Sequence, residues 1–171
     1  MIIRRKVDEI PAASDAETSE LQEMLRLIAE NRQNVVIYDR TTGVYAYWYF
    51  LLRGEEELAR ASRSGRPIAY LFLNARQEAN AQVLGAALKF GLRISDLPAY
   101  EGGGRFVVLL PETPAEQAHV VVDRLRGKIG DIFTSAVVGR PEDGITFDEL
   151  RQKAIAQMRR ASERIDRTAA A

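Results

Sequence analysis

The spacing of apolar residues in the first third of the chain predicts two helices. The first covers residues 14–32 and follows a tail or linker, residues 1–13, that lacks helical periodicity. Its apolar stripe has the three- and four-residue spacing of a helix face and comprises Leu21, Met24, Leu25 and Ile28. The second helix ends at Gly65, which is followed by Pro67, as is typical of a helix C-terminus. Three successive aromatic residues near its start cannot all face one side of a helix, so we expect at least one on a contact surface: Tyr47, Trp48 and Tyr49.

Apolar runs further along the chain predict the strands of a sheet. The run at residues 68–73 is continuous, as expected for a central strand that is buried on both faces. Two similar runs cover residues 106–110 and 132–138. Helical stretches alternate with these strands, and two of them open on a capping-box pattern, Thr113 with Glu116 and Thr146 with Glu149. We therefore predict one α/β domain over residues 33–167.

Three consecutive glycines, Gly102, Gly103 and Gly104, stand between a polar segment and the apolar run at 106–110. Without a Cβ, glycine adopts positive φ readily and allows another chain segment or a ligand to approach closely. Because strand-like residues flank the glycines, we predict the tight turn of a β-hairpin at a sheet edge.

Composition narrows the classes of function. The 171 residues carry a formal net charge of +0, so no overall field attracts nucleic acid or an anionic membrane. The chain has no cysteine, which excludes disulfides and thiolate chemistry, and its single histidine, His119, argues against a histidine-built metal site. The most apolar window, residues 35–52, is interrupted by charged residues, and no secretory signal is visible. We expect a cytoplasmic protein without a cofactor.

Two stretches of the chain resemble the GGDEF family, the diguanylate cyclases. The family's opening motif, Asp-x-Leu-Thr-Gly-Leu-Tyr, is matched at Asp39, Thr42, Gly43 and Tyr45, whereas its leucine position is Thr41 here. The glycine turn resembles the family's Gly-Gly-acid-acid-Phe turn. The resemblance covers residues 38–163 and implies a palm-like domain, with a central antiparallel or mixed sheet flanked by helices and preceded by one N-terminal helix.

The same resemblance implies that the catalytic turn is degenerate. Its two acidic positions are Gly104 and Arg105 in this chain, and the aspartate that ligates metal at the end of the preceding strand is Asn74. Diguanylate cyclisation uses two hard cations, which prefer carboxylate oxygens. Asn74 offers one neutral carbonyl oxygen, and Arg105 brings a positive charge. We therefore expect no bound metal, no catalytic residues and no cyclase activity.

Other positions that the family uses have also changed. A second acidic position near the end of the strand is Arg76, and the segment that grips the nucleotide looks deleted before the helix that includes residues 83–88. The family's last helix carries an aspartate, a tyrosine and a lysine that approaches the nucleotide phosphates. The matching residues are Ile155, Arg159 and Ser162.

A regulatory motif of the family looks intact. Many GGDEF domains have an Arg-x-x-Asp site, five residues before the glycine turn, that binds the product cyclic di-GMP. Arg93 and Asp96 have that spacing, and Arg124 matches an arginine of the following helix that often joins the site. Arginine can donate to guanine or phosphate, and a carboxylate can accept from guanine N–H groups. In a helical turn, the first two side chains would lie on one side.

The resemblance thus implies a catalytically inactive GGDEF domain that acts as a cyclic di-GMP receptor through Arg93, Asp96 and Arg124. The alternative is a ligand-free module that binds a protein partner through the aromatic surface at residues 47–49 or through the N-terminal helix. A homodimer or a signalling partner protein is expected, and neither a nucleic acid nor a membrane. The Arg93–Asp96 pair could also be no more than a salt bridge at a helix end.

Overall fold

A computed structural model describes the backbone of residues 36–169 and the side chains as far as residue 161. The elements below all belong to the compact unit Ile37–Ala171. The predicted tail (residues 1–13) and N-terminal helix (residues 14–32) lie outside the described residues.

The described part of the chain contains five strands and four helices. In order, they are β1 (Tyr45–Ala46), α1 (Tyr47–Ser64), β2 (Ile68–Ala75), α2 (Ala81–Gly91), β3 (Leu97–Gly102), β4 (Arg105–Pro111), α3 (Ala115–Ile129), β5 (Phe133–Arg140) and α4 (Phe147–Ala169). A single 3₁₀ turn, Glu78–Asn80, leads from β2 into α2. None of these described helices is long and apolar enough to cross a membrane.

The strands form one sheet in the order β1-β3-β4-β2-β5. The β1–β3 pair is parallel, and all the other pairs are antiparallel, so the sheet is mixed. The predicted α/β class and mixed sheet flanked by helices are confirmed. The glycines do turn a hairpin, β3 to β4, but the expectation of a sheet edge is wrong, because β1 pairs with β3 and covers that side.

Strand β2 is buried on both faces, which explains its unbroken apolar sequence. Since side chains alternate across a strand, Leu71 and Leu73 point to one layer and Tyr70 and Phe72 to the other. The first layer packs against α2 and α3, through residues that include Leu84, Leu88, Val122 and Leu125. The second packs against α1 and α4, through residues that include Phe50, Leu58, Phe147 and Leu150.

Helix ends follow the sequence patterns in two cases out of three. Gly65 has φ 69° and donates its N–H to the Ala61 carbonyl, which ends α1 as predicted. The Thr146–Glu149 box is also formed: the Thr146 hydroxyl accepts the Glu149 N–H at 3.3 Å, and the Glu149 carboxylate accepts the Thr146 N–H at 3.2 Å. The box predicted at Thr113 is wrong, because the Thr113 hydroxyl donates instead to the Pro111 carbonyl at 2.9 Å, and α3 begins without a side-chain cap.

Candidate ligand-binding site

The β3–β4 turn is built for glycine. Gly102, Gly103 and Gly104 have φ values of 103°, 58° and 78°, which residues other than glycine rarely adopt. The Gly104 carbonyl accepts the Ala75 N–H at 2.9 Å, so the turn rests against the end of β2. A Cβ on Gly104 would lie 3.4 Å from the Ala75 Cβ. That distance is an ordinary van der Waals contact, so the backbone conformation rather than packing favours glycine where the family has an acid.

The structure brings together two other positions that the resemblance assigns to the catalytic site. Asn74 at the end of β2 pairs in register with Arg105, the first residue of β4. Among the described residues, no group of three or more histidine, cysteine, aspartate or glutamate side chains is placed to hold a metal ion. An amide and a guanidinium occupy the place where the resemblance puts metal-ligating carboxylates.

The positive charge that Arg105 brings to the turn is paired with a carboxylate. Arg105 Nε donates to Glu101 Oε2 at 3.0 Å, and Arg151 of α4 donates to the other oxygen, Glu101 Oε1, at 2.5 Å and 3.2 Å. The Glu101 side chain is only 9% exposed. The Arg105–Glu101–Arg151 network therefore connects the hairpin to α4. Sequence reasoning missed Glu101 and Arg151; the only local signal was Glu101 four residues before Arg105, across a tight turn.

We expect Glu101→Ala to destabilise the domain. Two guanidinium groups would lose their shared carboxylate in a half-buried setting, and breaking such a pair from one side leaves charge without compensation. The free energy of unfolding, measured in urea, should fall by about 1–3 kcal/mol. Glu55→Ala, which removes an exposed carboxylate on α1, is the control and should change it by less than about 0.5 kcal/mol. Equal effects of the two variants would show that the network contributes nothing.

The Arg93–Asp96 segment is a tight turn between α2 and β3 rather than the turn of helix that we expected. The Asp96 N–H donates to the Arg93 carbonyl at 3.1 Å, and the Arg93 N–H donates to Asp96 Oδ2 at 2.8 Å. Within the side chains described, the two residues form no salt bridge, so the helix-end ion pair considered above is not present. The Asp96 carboxylate holds the backbone of the turn and leaves the Arg93 guanidinium available.

Arg124 reaches the same region from α3. Its Nη2 donates to the carbonyl of Gly91 at 2.7 Å, at the end of α2, which fixes the guanidinium beside the turn. Arg93, Asp96 and Arg124 all line one surface cleft of about 250 Å³. Its remaining walls come from β4, α3 and the segment between them: Leu110, Thr113, Gln117, Val120 and Val121. The three residues that the sequence singled out thus meet in space.

Burial changes the acidity of Asp96. The residue is 7% exposed, and desolvation raises the pKa of its carboxyl group above the 3.8 typical of aspartate. The Arg93 N–H, the charge of Arg93 and, more weakly, that of Arg124 oppose this rise in pKa. The cleft therefore combines two guanidinium groups with a carboxylate that titrates at a higher pH than usual.

The other sequence-predicted positions lie elsewhere. Arg76 donates to the Asp131 carboxylate at 2.6 Å and to its carbonyl at 2.8 Å, which ties the end of β2 to the start of β5. Only residues 76–80 separate β2 from α2, in agreement with the short connection that the sequence indicated. On α4, Ile155 is half-buried and Arg159 exposed, whereas the Ser162 side chain is outside the described residues.

Three features characterise the fold: the mixed sheet, the glycine hairpin next to the end of β2, and the two layers of helices. The chain has the fold of GGDEF domains. No protein-family model matches the sequence, and no curated protein matches it.

Solved structures show the likeness in fold. The diguanylate cyclase SiaD of Pseudomonas aeruginosa, solved with its activator SiaC, is 22% identical with a TM-score of 0.66; the match covers 85% of this chain but only 65% of SiaD. The GGDEF domain of PA1120 (TpbB or YfiN) from the same organism is 23% identical, with a TM-score of 0.65 and coverages of 74% and 89%. The coiled coil and GGDEF domain of DgcB from Caulobacter crescentus, in complex with c-di-GMP, is 16% identical, with a TM-score of 0.67 and coverages of 87% and 92%.

Proposed function

We propose that this chain is a catalytically inactive GGDEF domain that binds cyclic di-GMP through Arg93, Asp96 and Arg124. The observation that carries the proposal is their convergence on one cleft, although Arg124 is on a different helix from the turn that holds the other two. A similar fold binds this ligand, since DgcB was solved in complex with c-di-GMP.

The chemistry of the cleft suits a cyclic dinucleotide. A guanidinium group donates two parallel hydrogen bonds to a phosphate or to guanine O6 and N7, and ionised Asp96 accepts from the guanine N–H groups. A cleft of about 250 Å³ is smaller than typical pockets for whole ligands. It therefore holds one guanine and its phosphate. The rest of the ligand would contact a second ligand molecule or a second protein chain.

The proposal is tested by calorimetric titration of the full chain with cyclic di-GMP. We expect binding in the micromolar range that is retained without magnesium, because two arginines rather than a cation contact the phosphates. The linear dinucleotide pGpG serves as a matched ligand and should bind more weakly. Absence of heat at high ligand concentration, with the protein folded by circular dichroism, would refute the receptor proposal.

The receptor proposal also predicts a pH dependence. Asp96 accepts from guanine only when it is ionised, and burial raises its pKa. Affinity for cyclic di-GMP should therefore fall as the pH is lowered through a value above 3.8, the ordinary aspartate pKa. Asp96→Asn should bind more weakly at neutral pH and lose this dependence. A fall in affinity with pH that is equally large in the wild type and in Asp96→Asn would contradict a direct role for Asp96.

The lack of cyclase activity belongs to the same proposal. Its support is the residues at the turn: Gly104 with no side chain, Arg105 paired to Glu101, and Asn74 with a neutral amide. None of them supplies the negative charge that two divalent cations need.

A second candidate function is a protein-interaction module, and the outer face of α1 favours it. Trp48 is 46% exposed and Leu52 is 55% exposed, and Leu51 between them is also exposed. Tyr47 instead stacks on Phe50 with the ring centroids 6.0 Å apart, and Tyr49 packs against Tyr45. Of the three successive aromatic residues, Trp48 is therefore the one on the surface. SiaD, which shares the fold, was solved with a protein activator.

If α1 is a contact surface, the chain should associate with itself or a partner through Trp48 and Leu52. We expect sedimentation velocity to show a dimer at micromolar concentration, and Trp48→Gln with Leu52→Gln to shift it to the monomer. Ile145→Gln, which removes a similarly exposed apolar side chain before α4, is the matched control and should leave the dimer intact. A wild-type chain that stays monomeric at high micromolar concentration would argue against self-association.

A further inference from the structure

A second cleft, of about 330 Å³, lies on another side of the Arg93–Asp96 turn. Its walls come from the segment before α1, from the C-terminal half of α2 and from the turn itself. The residues that line it include Tyr38, Tyr45, Leu88, Lys89, Leu92 and Arg93. Its volume is within the range of small-molecule sites. The resemblance assigns no function to this cleft, and Arg124 does not line it.

One wall of the second cleft is aromatic. The rings of Tyr38 and Tyr45 stack with centroids 5.0 Å apart and planes 20° from parallel. Tyr45 is held in turn against Tyr49, also at 5.0 Å, so the stack is anchored to α1. Tyr38 is 54% exposed and lines the cleft. Leu92, which follows α2 and is half-buried, supplies apolar surface. Such a wall suits a planar aromatic ring.

Two positively charged side chains, Lys89 and Arg93, line the cleft together with the aromatic wall. Lys89 lies along the Gly43 loop: a Cβ on Gly43 would be 3.6 Å from Lys89 Cδ and 3.7 Å from Nζ. Neither Lys89 nor Arg93 forms a salt bridge with any carboxylate in the described part of the chain. Asp96 lines this cleft as well, and its Oδ2 accepts the Arg93 N–H at 2.8 Å. Lys89 Nζ lies 5.7 Å from the centroid of the exposed Phe90 ring. The two side chains therefore bring positive charge to the cleft that no described carboxylate neutralises.

We propose that this cleft binds a planar aromatic ring that carries an anionic group, a purine mononucleotide being the class that fits. The ring stacks on Tyr38, and the phosphate contacts Lys89 and Arg93. This site is independent of the cyclic di-GMP proposal, although both clefts share the Arg93–Asp96 turn. Positions on the shared turn cannot separate the two, whereas Tyr38 and Lys89 belong to this cleft and Arg124 to the other.

The test is a titration of the full chain, followed by NMR or calorimetry, with three probes: GMP, guanosine and ribose 5-phosphate. We expect GMP to bind at least about tenfold more tightly than either fragment, because only GMP has both the ring and the charge. The affinity for GMP should fall with added salt, and that for guanosine should not. Absence of GMP binding at millimolar concentration, or equal binding of ribose 5-phosphate and GMP, would overturn the proposal.

Variants locate the binding. Tyr38→Ala should weaken GMP binding about fivefold or more through loss of stacking. Lys89→Gln should weaken it about tenfold, whereas Lys89→Arg should retain it. Arg124→Ala is the control: it should leave GMP binding unchanged and reduce cyclic di-GMP binding. GMP binding that is lost in Arg124→Ala and kept in Tyr38→Ala and Lys89→Gln would assign it to the other cleft and sink the inference. Failure of cyclic di-GMP to bind would leave this result unaffected.

Discussion

Replacing Arg93 by alanine is expected to weaken cyclic di-GMP binding by a factor of several to more than a hundred. Of the two arginines in the cleft, Arg124 is already hydrogen-bonded to the Gly91 carbonyl, whereas the Arg93 guanidinium makes no bond to another described residue. Losing a bidentate arginine contact costs about 1–3 kcal/mol. The fold should persist, because the Asp96 carboxylate accepts from the Arg93 backbone N–H, which the substitution keeps. Calorimetry with wild type and variant measures the effect.

Two further variants are controls for the effect of Arg93→Ala on cyclic di-GMP affinity. Arg160→Ala removes an exposed positive charge from α4, far along the chain from the cleft, and should leave the affinity unchanged. Arg105→Ala removes the guanidinium at the glycine turn, which already pairs with Glu101, and should matter much less than Arg93→Ala. Unchanged cyclic di-GMP binding in Arg93→Ala would favour the interaction-module proposal instead.

The second prediction with a large effect is that the chain has no diguanylate cyclase activity. With GTP and magnesium or manganese, the chain should form no cyclic di-GMP above background, measured by chromatography beside an active diguanylate cyclase. The double variant Gly104→Asp with Arg105→Glu should not restore activity. Asn74 would still lack a carboxylate, and residues 76–80 would still be too short a connection for the nucleotide-gripping segment.

The structure adds a reason for failure of that double variant. Gly104 has φ 78°, which an aspartate adopts at a cost, and Arg105→Glu would place a second carboxylate beside Glu101. We therefore expect the double variant to be less stable than the wild type in thermal unfolding as well as inactive. Turnover of GTP by the wild-type chain would end the proposal of an inactive domain.

Local sequence patterns determined most of the elements. The unbroken apolar run at residues 68–73 forms the buried strand β2, because burial on both faces requires consecutive apolar residues. The three glycines form the hairpin turn, because positive φ favours glycine. The cap at Thr146 was predictable for the same reason, since its partner is three residues away. The identities at Asn74, Gly104 and Arg105 predict a turn without metal ligands, and this stays a prediction.

Contacts between distant residues were decided only by the tertiary structure. The Thr113 hydroxyl had two acceptable local partners, and the path of the chain out of β4 selected the Pro111 carbonyl. Glu101 also accepts from Arg151, whose helix lies some fifty positions away along the chain, and only the packing of α4 brings the two residues together. The meeting of Arg93 with Arg124, and of Tyr38 with Lys89, depends on how α2 and α3 pack on the sheet. No periodicity in the sequence records such packing, because it joins segments whose spacing along the chain is arbitrary.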